Sequence, residues 1–306
     1  MITAVGLTKR YGPKVAVDDL SFEVRPGVVT GFLGPNGAGK STTMRLMLDL
    51  HRGGGETRFD GRRYRDVPRP MREIGAVLEA KAFHPTRSAR NHLLMLAAAN
   101  GIGSARVDEV LALVGLSDVA GGRPKGFSLG MSQRLGLACA LLGDPHTLVL
   151  DEPANGLDPH GIQWLRDVLK SLAAQGRTVF VSSHLLAEMA QMADELVVIG
   201  RGRLIDSGPV SDFVGRFTRT TVLVRSPEAS RLADLLADDG ATVDSLSDGS
   251  LVVGGADAAA VGELAASYGV VLHQLVTRTA SLEEAFLSAT GAAEEYRGVS
   301  THGSAA

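Results

Sequence analysis

The run Gly34-Pro35-Asn36-Gly37-Ala38-Gly39-Lys40-Ser41 has the spacing glycine, four residues, glycine, lysine, serine. That spacing suits phosphate. Glycines let successive backbone N–H groups turn inward around anionic oxygens, and a helix starting at Lys40 aims its positive dipole end at the same anion. Lys40 would neutralise the β- and γ-phosphates of a nucleoside triphosphate, and Ser41 would offer its hydroxyl to Mg²⁺. Thr42 follows as a further nucleotide-binding candidate. A second chemical group stands at Asp151-Glu152, directly after the apolar run Thr147-Leu148-Val149-Leu150. Asp151 can hold Mg²⁺, directly or through water, and Glu152 can draw a proton from an attacking water as general base. Alone, this pair would be an acidic turn after a core strand; together with the phosphate loop it reads as the other half of a nucleotide site.

Such groups need rigid strands behind them. Val28-Val29-Thr30-Gly31-Phe32-Leu33 reads as a buried strand feeding the glycine loop, with helical periodicity from Lys40 to about Leu50. Strands are expected at Val15–Val24, Ile74–Leu78, Thr147–Leu150, Thr178–Ser182, Glu195–Ile199 and Arg203–Asp206. Helical patterns cover Arg87–Gly115, broken at Gly101–Ser104, then Ile162–Gln175 and a helix from Leu185. Strands alternating with helices predict an α/β unit with a mainly parallel sheet, and open α/β sheets bind ligands at the carboxyl ends of their strands. A smaller α+β domain follows from residue 216. Strand, helix, two strands joined at Asp248-Gly249, helix and strand give a β-α-β-β-α-β order, which predicts a ferredoxin-like sandwich. Ser281-Leu282-Glu283-Glu284 reads as a capping box for a last helix ending near Gly291, and residues 292–306 as a flexible tail.

With 306 residues, 44% hydrophobic and 21% charged, the chain is no disordered tail, collagen-like fibre or disulfide-stapled mini-protein. Cys139, the single cysteine, lies among alanines and reads as a small core residue. Neither a signal peptide nor a membrane-length apolar run is evident, so a cytoplasmic protein is expected. The net charge of −3 makes no electrostatic case for nucleic acid. It is unevenly spread: residues 1–215 carry net +3 and residues 216–306 net −6, which marks two units.

A phosphate loop and an acidic strand end do not name one NTPase, but their surroundings are more specific. Phe127-Ser128-Leu129-Gly130-Met131, continuing Ser132-Gln133-Arg134, resembles the signature segment of ATP-binding-cassette (ABC) proteins. Tyr11 resembles that family's adenine-stacking aromatic, Gly156-Leu157-Asp158 its D-loop, and Ser182-Ser183-His184 its switch histidine. All lie in the family's order over about residues 1–215. The resemblance implies a P-loop NTPase cassette with a helical subdomain at about 87–143. It implies that two cassettes close head to tail on two ATP molecules with Mg²⁺. Ser128 and Gly130 would touch the partner's γ-phosphate, His184 would reach the γ-phosphate, Asp158 would couple the two sites, and Tyr11 would stack on adenine. Two departures stand out. Glu79 occupies the place of a glutamine that contacts Mg²⁺, and Leu129 and Met131 replace the commoner glycine and glutamine.

Glu79-Ala80-Lys81-Ala82-Phe83-His84-Pro85 and the ending Leu282-Glu283-Glu284-Ala285-Phe286-Leu287 resemble the bacterial drug-exporter branch, daunorubicin- and bacitracin-type exporters included. In that branch the ATPase and the membrane permease are separate chains. The implied protein is a homodimeric ATPase at the inner face of the membrane, exporting a small molecule or peptide through a permease. Cassettes acting on ribosomes or DNA, and ATP-dependent regulators, are the other functions open to this sequence. A single phosphate loop, no heptad run and an acidic second half weigh toward the transporter.

Overall fold

The computed structural model describes residues 1–78, 83–84, 86–217, 220–278 and 281–290. Glu79 and the expected tail at 292–306 lie outside them. The described chain divides into Met1–Val210 and Ser211–Ala289, the division falling ahead of the expected boundary at Arg216. A helix at Val210–Phe217, not anticipated from the sequence, occupies that stretch.

In the first unit, β1 (Ile2–Tyr11) and β2 (Lys14–Val24) form a hairpin, and β3 (Val29–Leu33) leads to α1 (Lys40–Met47). Then come β4 (Gly54–Phe59), α2 (Pro70–Glu73), β5 (Ile74–Val77), α3 (Ala89–Ala99), α4 (Ser104–Leu113) and α5 (Leu129–Leu141). The unit continues through β6 (Thr147–Leu150), α6 (Pro159–Ala174), β7 (Thr178–Ser182), α7 (Leu186–Met192) and β8 (Glu195–Gly200) to β9 (Arg203–Pro209); α8 (Val210–Phe217) follows at the division, all but its first residue in the second unit. One sheet is antiparallel with order β2-β1-β4; the other has order β5-β6-β7-β3-β8-β9. Its first five strands run parallel and β9 is antiparallel. Every residue of β3, β6 and β7 is buried, as strands covered on both faces must be. Helix α1 stops at Met47, short of the expected Leu50, because Asp49 turns left-handed (φ 55°) and the amides of Leu50 and His51 fold back to the Arg45 carbonyl.

The two sheets meet at three aromatic rings. Phe22 of β2 lies 5.7 Å from Phe32 and 5.4 Å from Phe180, and Phe32 and Phe180 are 5.0 Å apart. Offset pairs at this separation add about 0.5–1.5 kcal/mol each beyond the area they bury. Phe32 stands two residues before Gly34 and Phe180 two before Ser182, so this packing holds the ends of β3 and β7 in register.

In the second unit β10 (Thr221–Arg225), α9 (Ala229–Asp238), β11 (Thr242–Ser245), β12 (Leu251–Gly254), α10 (Ala258–Ser267) and β13 (Gln274–Arg278) precede α11 (Leu282–Thr290). The sheet order is β11-β12-β10-β13 with all neighbours antiparallel, compatible with the ferredoxin-like sandwich. Val222, Val224, Leu232, Leu251, Val253 and Val261 share its core. Strand β13 starts only at Gln274, because Val270 closes the end of α10, its amide donating to Ala265 O at 2.8 Å. The capping box forms reciprocally: Ser281 N donates to Glu284 Oε2 (3.0 Å) and Glu284 N to Ser281 Oγ (3.1 Å).

Phe180→Ala should destabilise the first unit by about 3–5 kcal/mol, since it empties a fully buried aromatic site and unpairs two rings. Denaturant unfolding of the purified chain measures this, and a loss under about 1 kcal/mol would contradict the ring packing.

Candidate functional site

Lys40 is only 8% exposed, yet it carries a charge at the start of α1. Its Nζ donates to Gly34 O (2.6 Å) and Pro35 O (3.4 Å), so the ammonium lies against the loop it follows. Burial pulls its pKa below the ordinary lysine value, while Glu152 and then Asp151 push it back up. Residues far apart in sequence thus share one electrostatic site. The loop's path depends on Gly39, whose φ is 104°; a Cβ there would lie 2.4 Å from the Ala16 carbonyl oxygen. The amide of Gly202 fastens the loop from the β8–β9 turn by donating to Ala38 O at 3.0 Å. A cavity of about 360 Å³ opens beside the loop, lined by Lys14, Val15, Pro35, Asn36, Gly37, Ala38 and Arg201. Ser41 and Thr42 follow Lys40, half-buried, on the first turn of α1.

Asp151 and Glu152 leave the end of β6, and β7 lies between β6 and β3. Ser182, last residue of β7, uses its hydroxyl twice. It donates to Asp151 Oδ1 at 2.5 Å and accepts from the Glu152 amide at 2.9 Å. Gln133 of α5 donates through Nε2 to Glu152 O at 2.8 Å. Glu152 sits in the left-handed region with φ 52°, uncommon for a residue with a Cβ. His184 Nδ1 is 2.7 Å from Glu152 Oε2, so the expected base and switch histidine meet directly. Ser182 and Gln133 were quoted in the sequence as parts of motifs without these roles; only the sheet order and the docking of α5 reveal them. Lys14 and Arg201 carry no motif and reach the cavity only through the two hairpins that bear them.

Ser128 and Asp158 each cap a helix. Ser128 Oγ accepts from Met131 N (3.2 Å) at α5, and Asp158 Oδ1 from Gly161 N (2.8 Å) at α6. The two motifs also touch: a Cβ on Gly156 (φ 80°) would lie 2.2 Å from Leu129 Cδ2, and one on Gly130 would lie 3.1 Å from Gly156 O. Ser128 and Leu129 face solvent at this helix start. Tyr11 does not line the loop cavity. Its ring is 46% exposed with Lys9 Nζ 5.0 Å from the centroid, and its hydroxyl is 2.9 Å from His51 Nδ1. Burial first, then Arg45 and Lys9, lower the His51 pKa.

Among the described residues no group of three or more His, Cys, Asp and Glu could hold a metal ion. Buried Asp151, with Ser41 on the first turn of α1, instead fits Mg²⁺, which is commonly held by one or two protein groups together with substrate phosphates. Burial pushes the Cys139 thiol up to about 12, which leaves it a packing residue.

Residues 17–155 match the family described as ABC transporter, and residues 220–283 match a domain of unknown function. An uncharacterized ABC transporter ATP-binding protein, YhcH of Bacillus subtilis, is 38% identical over 296 residues, which is 94% of this chain and 95% of the relative. The bacitracin transport ATP-binding protein BcrA of Bacillus licheniformis is 42% identical over 213 residues, 68% of this chain and 70% of its own. A solved ATP-binding subunit of an ABC transporter, 28% identical, superposes with a TM-score of 0.65 over 71% of this chain and 93% of that one.

Ser182→Ala removes the hydroxyl shared by Asp151 and Glu152. Leaving buried groups unpaired should cost about 1–3 kcal/mol in denaturant unfolding. Unchanged stability would mean that water or another group replaces the hydroxyl without loss. Cys139, with a pKa raised to about 12, is ionised in about one molecule in 10⁴ at pH 8. Thiol labelling at that pH should therefore be much slower in the native chain than after unfolding, and equally rapid native labelling would contradict the raised pKa.

Proposed function

The chain belongs to the ATP-binding subunits of ABC transporters, and from that premise we propose that two copies close head to tail around two ATP molecules and power export through a separate membrane permease. Hydrolysis is the chemistry of this family. The observation that carries the reading is the convergence of Lys40, Asp151, Glu152 and His184 on the carboxyl ends of three adjacent strands.

In this reading the phosphate loop from Gly34 to Gly39 encloses the β- and γ-phosphates with its backbone N–H groups, and the Lys40 ammonium turns from the loop carbonyls to phosphate oxygen. Ser41 and Asp151 would hold Mg²⁺, with Glu79 in the position the resemblance gives it; when bound, the ion offsets negative charge on the phosphates. Glu152 takes one proton from the attacking water as its oxygen bonds to the γ-phosphorus and the bond to the ADP oxygen breaks. His184 leaves Glu152 to meet the γ-phosphate. Ser128 and the Gly130 amide complete the partner's site from the start of α5, Asp158 links the two sites, and Tyr11 supplies an aromatic face for adenine.

The partners in this reading are a second copy and a membrane-spanning permease, as for the ABC transporter family that the chain matches; among the described residues no helix is long and apolar enough to cross a membrane. In this reading the subunit works at the inner face of the membrane. The bacitracin transport relative points to a small molecule or peptide, antibiotics among them, as the exported substrate.

Glu152→Gln should keep ATP affinity while lowering phosphate release by at least about 10²-fold. The same variant should run as an ATP-dependent dimer in size-exclusion chromatography, and capture a multi-span membrane protein from detergent-solubilised native membranes. Wild-type turnover in Glu152→Gln would remove Glu152 as base. Recovery of ribosomal proteins without a membrane partner would remove the transport reading.

A further inference from the structure

Glu188 stands four residues after His184, on the first turn of α7. A first-turn glutamate ordinarily stands in water and complements the positive end of the helix dipole. Glu188 departs from that pattern. Its Oε2 is sealed from solvent and has no hydrogen-bond partner. Burial is the main influence on it and raises its pKa; His184 acts to lower it and Glu152 to raise it. The carboxylate is therefore in electrostatic reach of both residues that define the hydrolytic site. A sealed, unpaired acceptor costs about 1–3 kcal/mol, and a native structure that retains one calls for an explanation.

The Glu152–His184 contact supplies that explanation. In this form His184 Nδ1 lies against Glu152 Oε2, the carboxylate that the ATPase reading assigns to the attacking water. For Glu152 to receive that water, the imidazole must move. Without another acceptor, the N–H it withdraws would be left unpaired and the ring would be free to turn. Glu188, four residues along the chain from His184 and on the helix that follows it, offers an oxygen with unused capacity. We propose that Glu188 is a positioning residue for hydrolysis, the second acceptor that takes the His184 imidazole N–H when Glu152 turns to the water. The ring then keeps one nitrogen fixed to the protein and presents the other to the nucleotide. Held this way, His184 alternates between two carboxylates, and its release from the base coincides with its orientation toward phosphate.

This assignment rests on the ATPase reading, and the experiment separates the two. Phosphate release by the wild-type chain with Mg²⁺ and ATP is measured first; no release removes the ATPase reading and the Glu188 assignment together. Glu188→Ala and Glu188→Gln are then compared by kcat, KM for ATP and thermal midpoint. Glutamine keeps a carbonyl oxygen that accepts an N–H, and alanine keeps none. The expected result is a kcat about tenfold lower in Glu188→Ala, near the worth of one hydrogen bond, with KM unchanged, a thermal midpoint no lower than that of the wild type, and most activity retained in Glu188→Gln. Wild-type kcat in Glu188→Ala overturns the assignment alone. An equal fall in both variants, or a kcat loss that tracks a lower thermal midpoint, also overturns it, because charge or folding would then be the cause.

Discussion

The arrangement depends on gathering opposite charges away from water at the ends of neighbouring parallel strands. Lys40 is almost wholly buried, and burial of an ammonium is costly unless negative charge lies near. Asp151 and Glu152 provide that charge from β6, two strands away from β3. The strand between them, β7, ends in a hydroxyl small enough to serve both acidic residues at once. Ser182 joins Asp151 through its side chain and Glu152 through its backbone, so the spacing of the acidic pair is set by strand pairing rather than by the loop alone. The Phe22, Phe32 and Phe180 rings lie directly behind these strand ends and limit how far they can shift.

The phosphate loop, the acidic pair and the strands beneath them were legible in the sequence because each is contiguous and carries its own chemistry. The same holds for the Ser281–Glu284 box, a local pattern whose hydrogen bonds span three residues. Contacts created by folding were not legible. Nothing around Ser182 says that β7 will lie between β6 and β3, and nothing around Arg201 says that its hairpin will approach the phosphate loop. Helix α8 was missed although Val210, Phe213, Val214 and Phe217 have helical spacing. Tyr11 is instructive in the other direction: the residue type matched the family pattern, but the structure pairs it with His51 and Lys9 and does not set it in the cavity lining.

Ser128 and Asp158 show how residues proposed for a reaction can also serve the fold. Each side chain satisfies an amide at the start of its own helix, the position where a helix also attracts anions. The exposed start of α5 packs against Gly156, so the signature segment cannot shift without disturbing the turn that leads to Asp158. Closely packed elements of this kind have few intermediate positions, which gives a physical basis for coupling the two motifs.

Glu152 illustrates how such a site is kept under tension. A left-handed backbone at a non-glycine residue costs on the order of 1–3 kcal/mol and persists only where the surroundings over-determine it. Here the amide donates to Ser182, the carbonyl accepts from Gln133, and the preceding Asp151 amide donates to Val77 O at 2.7 Å. These three bonds come from β7, α5 and β5, so the backbone at Asp151 and Glu152 is gripped from three elements. Its carboxylate, by contrast, is met by His184, which stands outside the strands on the segment leading into α7. The backbone of the residue is therefore fixed by the strands and α5, while its carboxylate rests against a residue that lies outside them.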